Sequence, residues 1–167
     1  MIVVLSDTHR EEGHGLSGRV RASVREADRI VHAGDFTTPA VFEAFRAVGS
    51  RIEAVHGNRD DPALRERLPT TRVFEWADTR IVLVHGHGHG ETALSLLGRE
   101  KEADLVIFGH SHRPAIVEAR GVTLLNPGSH ADPRGNPAAH AELTATEDGI
   151  MARLWTADRI EIDAVRV

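Results

Sequence analysis

The chain has 167 residues, with 20 Lys and Arg against 25 Asp and Glu and a formal net charge of −5 at pH 7. This length suits one domain, taken as residues 1–167, with a sizeable core; the acidic balance and the lack of a basic cluster argue against stable nucleic-acid binding. Cysteine is absent, which excludes disulfides, thiol catalysis and thiolate-held metals.

In chain order, the first apolar run is Ile2-Val3-Val4-Leu5, which leads into Asp7 and His9. No basic segment precedes it, and it is too short for a signal peptide or a membrane span, so a cytoplasmic protein without membrane contact is expected. Ser17 is placed to begin a helix that brings Val20 and Val24 onto one face. Ile30 and Val31 then lead to Gly34-Asp35. A second helix starts at Thr38 as N-cap with Pro39 in its first turn, and Val41, Phe42 and Phe45 form its apolar stripe. Residues 52–55 run into Gly57-Asn58-Arg59-Asp60, and Asp61-Pro62 begins another helix.

Residues 81–84 lead to His85-Gly86-His87, and residues 90–103 supply a helix. Leu105-Val106-Ile107-Phe108 then reads as a central strand of a parallel sheet, covered on both faces and ending in Gly109-His110-Ser111-His112. After Pro114 the pattern changes to short strands with tight turns. One hairpin turns near Arg120-Gly121 and another at Glu147-Asp148-Gly149, and residues 159–167 make a final strand.

Five apolar runs therefore end in oxygen or imidazole groups, usually beside a glycine. In open α/β sheets, ligands bind beyond the carboxyl ends of the strands, so these residues share one address. Asp, Asn and His without cysteine suit borderline or hard divalent ions such as Mn, Fe, Zn or Co. Asp7, His9, Asp35, Asn58, His85, His110 and His112 are more ligands than one ion needs, and a carboxylate can bridge two. A binuclear centre is expected, with ions about 3.5–4 Å apart clamping the attacking and leaving oxygens of an in-line displacement.

In order, Asp7-Thr8-His9, Gly34-Asp35, Gly57-Asn58-Arg59-Asp60, His85 and Gly109-His110-Ser111-His112 resemble the signature of the calcineurin-like metallophosphoesterases. The following Asn126-Pro127-Gly128-Ser129 resembles a segment of the small, YfcE-like phosphodiesterase branch. The resemblance implies a four-layer α/β/β/α sandwich of two mixed sheets flanked by helices. It also implies one ion on Asp7, His9, Asp35 and His112, and a second on Asp35, Asn58, His85 and His110, with Asp35 as the bridge. A water or hydroxide shared by the ions would attack phosphorus.

The sequence departs from the pattern at Arg59, where many larger relatives carry a histidine proposed to protonate the leaving group. Arginine, with a pKa above about 12, is no proton donor at neutral pH, but its planar fork can hold phosphate. Arg59 is therefore assigned to the phosphoryl group, and His87 is the nearest candidate by motif for the leaving group. Asn58, Arg59 and His87 form the expected catalytic set. Asp60 is assigned to supporting a neighbouring ligand by hydrogen bonding. His32 and His56 precede motif glycines on strands and favour structural roles, His89 favours a loop, His130 is weighed as a far wall of the site, and His14 and His140 read as surface or loop residues.

The expected activity is phosphodiester hydrolysis with two divalent ions, manganese favoured and Ni, Fe, Co or Zn also suited. The expected partner is a small phosphodiester-type substrate, and a homo-oligomer is compatible with the sequence. Two alternatives remain open: a scaffold of this fold used for protein binding, as in the retromer subunit, and a phosphomonoesterase, including a protein phosphatase.

Overall fold

A computed structural model of the protein describes residues 1–48, 51–147 and 149–167. The first half alternates strands and helices: β1 (Ile2–Leu5), α1 (Gly18–Glu26), β2 (Arg29–His32), α2 (Pro39–Arg46), β3 (Arg51–Ala54) and α3 (Pro62–Arg67). A hairpin of β4 (Thr71–Trp76) and β5 (Thr79–Val84) follows, then α4 (Glu91–Glu100) and β6 (Leu105–Ile107). The chain closes with β7 (Ala115–Ala119), β8 (Val122–Asn126), β9 (Ala139–Thr146), β10 (Gly149–Thr156) and β11 (Glu161–Arg166).

These elements form two mixed sheets, one ordered β11-β10-β9-β1-β2-β3 and the other β4-β5-β6-β8-β7. Alternate residues of the central strands point to opposite faces, and both faces are covered. In β1, Ile2 and Val4 enter the core between the sheets, whereas Val3 and Leu5 pack under the first three helices with Val20, Val24, Val41 and Phe45. In the second sheet, Ile81, Leu83, Leu105 and Ile107 face inward, while Val82 and Val106 pack beneath α4 with Leu94. The expected four-layer sandwich results. Strands β1, β2 and β3 pair in parallel, as do β5, β6 and β8, so each sheet collects several carboxyl ends along one edge.

Local signals behave as their chemistry requires. The Thr38 hydroxyl accepts from the Val41 amide, and the Asp61 carboxylate accepts from the Ala63 amide, each capping a helix whose first residue is proline. Ser17 occupies the N-cap of α1 but its side chain makes no capping bond. The β7–β8 turn is formed by Arg120 and Gly121 at φ of 57° and 78°. Of the expected Glu147-Asp148-Gly149 turn, Asp148 lies outside the described residues, while Thr146 pairs with Gly149 across it.

Strand β4 has no clear signature in the sequence. Its alternation is weak: Phe74 and Trp76 pack on the inter-sheet core, while Val73 is 38% exposed. Its turn, Ala77-Asp78 at φ of 49° and 58°, is tight but lacks the glycine that usually announces one. His140, read as a surface or loop residue, is instead fully buried on β9 and lies 3.1 Å from Glu142. Glu142 joins β9 to α1, accepting from Ser23 at 2.6 Å and Arg19 at 2.8 and 3.0 Å.

Burial alone would raise the Glu142 carboxyl, but hydrogen bonds from His140, Ser23 and Arg19 overcome it and hold the pKa at about 2. A depressed carboxyl stabilises the fold above its unfolded pKa, here 4.5, and loses that contribution as pH falls towards 2. Glu142→Gln should therefore cost about 2 kcal/mol at pH 7 and progressively less below pH ~4. Urea midpoints measured across that range test this, and a gap from wild type that does not change with pH would contradict it.

Candidate metal centre

The segments leaving β1, β2, β3, β5 and β6 bring all seven expected ligands to one edge of the sandwich. The first two are tied by backbone bonds, Asp7 N–H to Gly34 O at 3.0 Å and His9 N–H to Asp35 O at 3.1 Å. Asp7, His9, Asp35, His110 and His112 all adopt left-handed backbone, with φ between 44° and 68°. Each such residue costs on the order of 1 kcal/mol, and strain clustered this way marks functional loops.

The side chains converge on two carboxylates. Asp7 and Asp35 are 0% and 2% exposed. The Asp35 Oδ2 atom lies 3.3 Å from His9 Nε2 and equally 3.3 Å from His85 Nε2. The Asp7 Oδ1 atom lies 3.5 Å from His112 Nε2 and 3.8 Å from His9 Nε2. Asn58 Oδ1 stands 3.1 Å from His85 Nε2. The rings of His9 and His112 stack at 4.9 Å, and the exposed His110 ring sits edge-on to His85 at 5.3 Å. Asp7, His9 and His112, and likewise Asp7, Asp35 and His85, offer ligand atoms all within 4.8 Å of one another.

These donors fit a cation. His85 Nδ1 faces the Ala33 carbonyl at 2.7 Å and His112 Nδ1 faces the Asp132 carbonyl. A carbonyl only accepts, so each Nδ1 carries a proton and Nε2 presents a lone pair to the carboxylates. Lone pairs facing carboxylate oxygens repel unless positive charge lies between them. Asp7 Oδ1 is buried without a hydrogen-bond partner. Where only protons are available, they are drawn in. Burial opposes protonation of His9, but hydrogen bonds to Asp35 and Asp7 raise its pKa to about 9. His85 is raised by Asp35 against its own burial, and Asp35 is held far below the usual carboxylate range despite its burial, through His85 and His9.

A second layer of contacts holds this arrangement. Asp60 accepts from the amides of Gly57 at 2.7 Å, Asp35 at 3.0 Å and Thr37 at 2.7 Å, joining the loops after β2 and β3 as expected. Asn126 donates to Gly109 O at 2.8 Å and Ser111 Oγ at 3.0 Å, bracing the loop of His110 and His112. Ser129 donates to Asp7 O at 2.7 Å. Two glycines leave room for the carboxylates: a Cβ on Gly57 would lie 2.1 Å from Asp35 Oδ1, and one on Gly109 would lie 2.7 Å from Asp7 Oδ2.

The remaining expected residues fall at different depths. The Arg59 amide donates to Asp35 Oδ1 at 2.7 Å, and its side chain is exposed at the rim. His87 is exposed, its ring 5.6 Å from His85 and 6.3 Å from His110. His89 is an exposed loop residue bonded to the His87 carbonyl. His32 is fully buried, stacked on Phe36 at 3.7 Å and bonded to Thr8 Oγ1, which is the structural role expected. His56 is half-buried at the end of β3, its Nδ1 3.3 Å from Gly57 O. His130 does not join the ligand cluster: it turns away to bond the His14 carbonyl and pack near Phe45. Asp132 and Arg134 carry no motif signal, yet Asp132 braces His112 and Arg134 Nη2 reaches within 3.4 Å of His9 Nε2.

The model of the calcineurin-like phosphoesterase superfamily domain matches residues 1–149, and the chain belongs to that family. A protein of Methanothermobacter thermautotrophicus named probable metallophosphoesterase is 38% identical over 138 residues, covering 80% of this chain and 79% of that one. Phosphodiesterase YfcE of Escherichia coli is 33% identical over 110 residues, 62% of this chain and 58% of the relative. Its solved structure superposes with a TM-score of 0.73 at 23% identity, over 99% of this chain and 98% of that one. A Vps29 single mutant from Entamoeba histolytica shares the fold at a TM-score of 0.81 and 20% identity, covering 99% and 98%.

Gly57→Ala tests whether the close approach matters. It should lower metal affinity by about 10- to 100-fold, because the methyl displaces Asp35 from its neighbours. Titration with Mn²⁺, with circular dichroism to confirm folding, reads this directly. A folded variant that binds metal like wild type would contradict the account.

Proposed function

We propose that residues 1–167 form one domain that is a binuclear metal-dependent phosphodiesterase. One ion is assigned to Asp7, His9, Asp35 and His112, the other to Asp35, Asn58, His85 and His110. The carrying observation is that Asp35 Oδ2 lies at the same 3.3 Å from an imidazole of each set. The donor set, oxygen and imidazole without thiolate, favours manganese and also suits Ni, Fe, Co or Zn. Bound ions would supply an acidified water as nucleophile and Lewis acidity towards the phosphoryl oxygens.

The chain itself orients and screens. Asn58 lies between the cluster and the rim, where its amide can meet both an ion and the substrate. Arg59 holds a phosphoryl oxygen from the side of β3. His87 lines the leaving-group side, 6.3 Å from His110, close enough to contact the departing oxygen directly or through a water. With arginine at position 59, no strong acid stands ready for an alkoxide, so diesters with good leaving groups are the preferred substrates. No helix among the described residues is long and apolar enough to cross a membrane. We read the protein as cytoplasmic, acting on a small phosphodiester rather than on nucleic acid.

A protein-binding scaffold is the second reading, favoured by the fold shared with Vps29. Seven converging ligands and their strained loops weigh against it, since a binding surface has no use for them. The two separate cleanly in assays of metal-stripped protein with added Mn²⁺. Bis-p-nitrophenyl phosphate should be cleaved faster than p-nitrophenyl phosphate, and Asn58→Ala should cut the rate by about 100-fold or more. Metal binding without turnover on either ester would support the scaffold, and faster cleavage of the monoester would make the protein a phosphomonoesterase.

A further inference from the structure

We propose that Arg134 is a second phosphoryl-binding arginine, set in advance over the His9 side of the centre. The inference rests on the phosphodiesterase reading and extends it to a residue outside the motifs. The loop after β8 carries it. Ser129 Oγ anchors that loop by donating to Asp7 O at 2.7 Å and accepting from the Asp132 amide at 2.8 Å. Asp132 then serves two groups: its carbonyl accepts from His112 Nδ1, and its carboxylate accepts from Arg134 Nε at 3.0 Å. Arg134 itself takes a left-handed φ of 48°. Its Nη2 end stands 3.4 Å from His9 Nε2, with the side chain 52% exposed towards solvent.

An ordinary surface ion pair explains the Asp132–Arg134 contact and nothing more. It does not explain why the free end of the guanidinium lies over a candidate metal ligand. With a cation on His9 Nε2, no lone pair there remains for Arg134 to donate to. The guanidinium would then face further positive charge while still tethered by Asp132. An anion bound between them would make that arrangement favourable. A phosphoryl group fits, because the planar fork can donate to two non-bridging oxygens at once. Arg59 differs in preparation: its backbone N–H is engaged, but among the described residues nothing fixes its guanidinium. Arg134 has the fixed geometry that saves ordering entropy on binding.

Calorimetry with inorganic phosphate as probe tests this on Mn²⁺-loaded protein, preceded by titration of Mn²⁺ alone. Arg134→Gln should weaken phosphate binding by about tenfold, towards the lower end for a charged donor because the side chain is half exposed. Its Mn²⁺ affinity should match wild type or be slightly tighter, since a neighbouring positive charge is gone. Arg134→Lys should recover only part of the phosphate affinity, restoring charge without the fork.

Unchanged phosphate affinity in Arg134→Gln would overturn the assignment and leave the phosphodiesterase reading standing. Loss of Mn²⁺ affinity in parallel would also overturn it, making Arg134 a structural support for His9. Wild-type protein that takes up Mn²⁺ but neither binds phosphate nor cleaves either p-nitrophenyl ester would overturn both.

Discussion

Two buried carboxylates within a few ångströms of each other set the terms for the rest of this structure. Asp7 and Asp35 each have one oxygen satisfied by a backbone amide, that of His110 at 2.9 Å and that of Arg59 at 2.7 Å. The other oxygens, Asp7 Oδ1 and Asp35 Oδ2, face imidazole nitrogens and each other's surroundings. Like charges buried together are costly without compensating positive charge. Where ions are absent the carboxylates draw protons towards His9 and His85, and the geometry suits divalent ions that would take their place. The left-handed loops, the glycines pressed against carboxylates and the bracing by Asp60, Asn126 and Ser129 all serve to keep this unfavourable pair in place.

The sandwich makes such an arrangement affordable. Strands covered on both faces bury aliphatic side chains in three separate cores, and the carboxyl ends of β1, β2, β3, β5 and β6 open onto one edge. Each loop begins from a strand that cannot slip in register without exposing its whole apolar face. Strain in the loops is therefore carried by rigid elements, and bonds between loops, such as His110 to Asp7 and Ser129 to Asp7, lock the two sheets together across the site.

Much of this was legible because chemistry and topology coincide in the sequence. Apolar runs such as Ile2-Val3-Val4-Leu5 end directly in ligand residues, so periodicity located both the strand and its functional tip. Caps at Thr38 and Asp61 were readable because a short polar side chain before proline has few other uses. Strand β4 was not legible, since Ala77 and Asp78 form its tight turn without glycine and its inward residues, Phe74 and Trp76, mimic isolated aromatics. His140 reads as a surface residue because its tolerable burial depends on Glu142, two residues on, being held in place by Ser23 and Arg19, which are distant in sequence. Backbone strain has no sequence signature at Asp7 or His112. Nor does Arg134, whose significance comes from a loop folding back on a ligand 125 positions away.

The central claim is that Asp35 is shared by two ions, and electron paramagnetic resonance of the Mn²⁺-loaded protein tests it most directly. The account predicts two Mn²⁺ per chain with a spin-coupled signal, and loss of that coupling in Asp35→Ala. A single ion per chain, or two giving only the spectrum of isolated Mn²⁺, would contradict it.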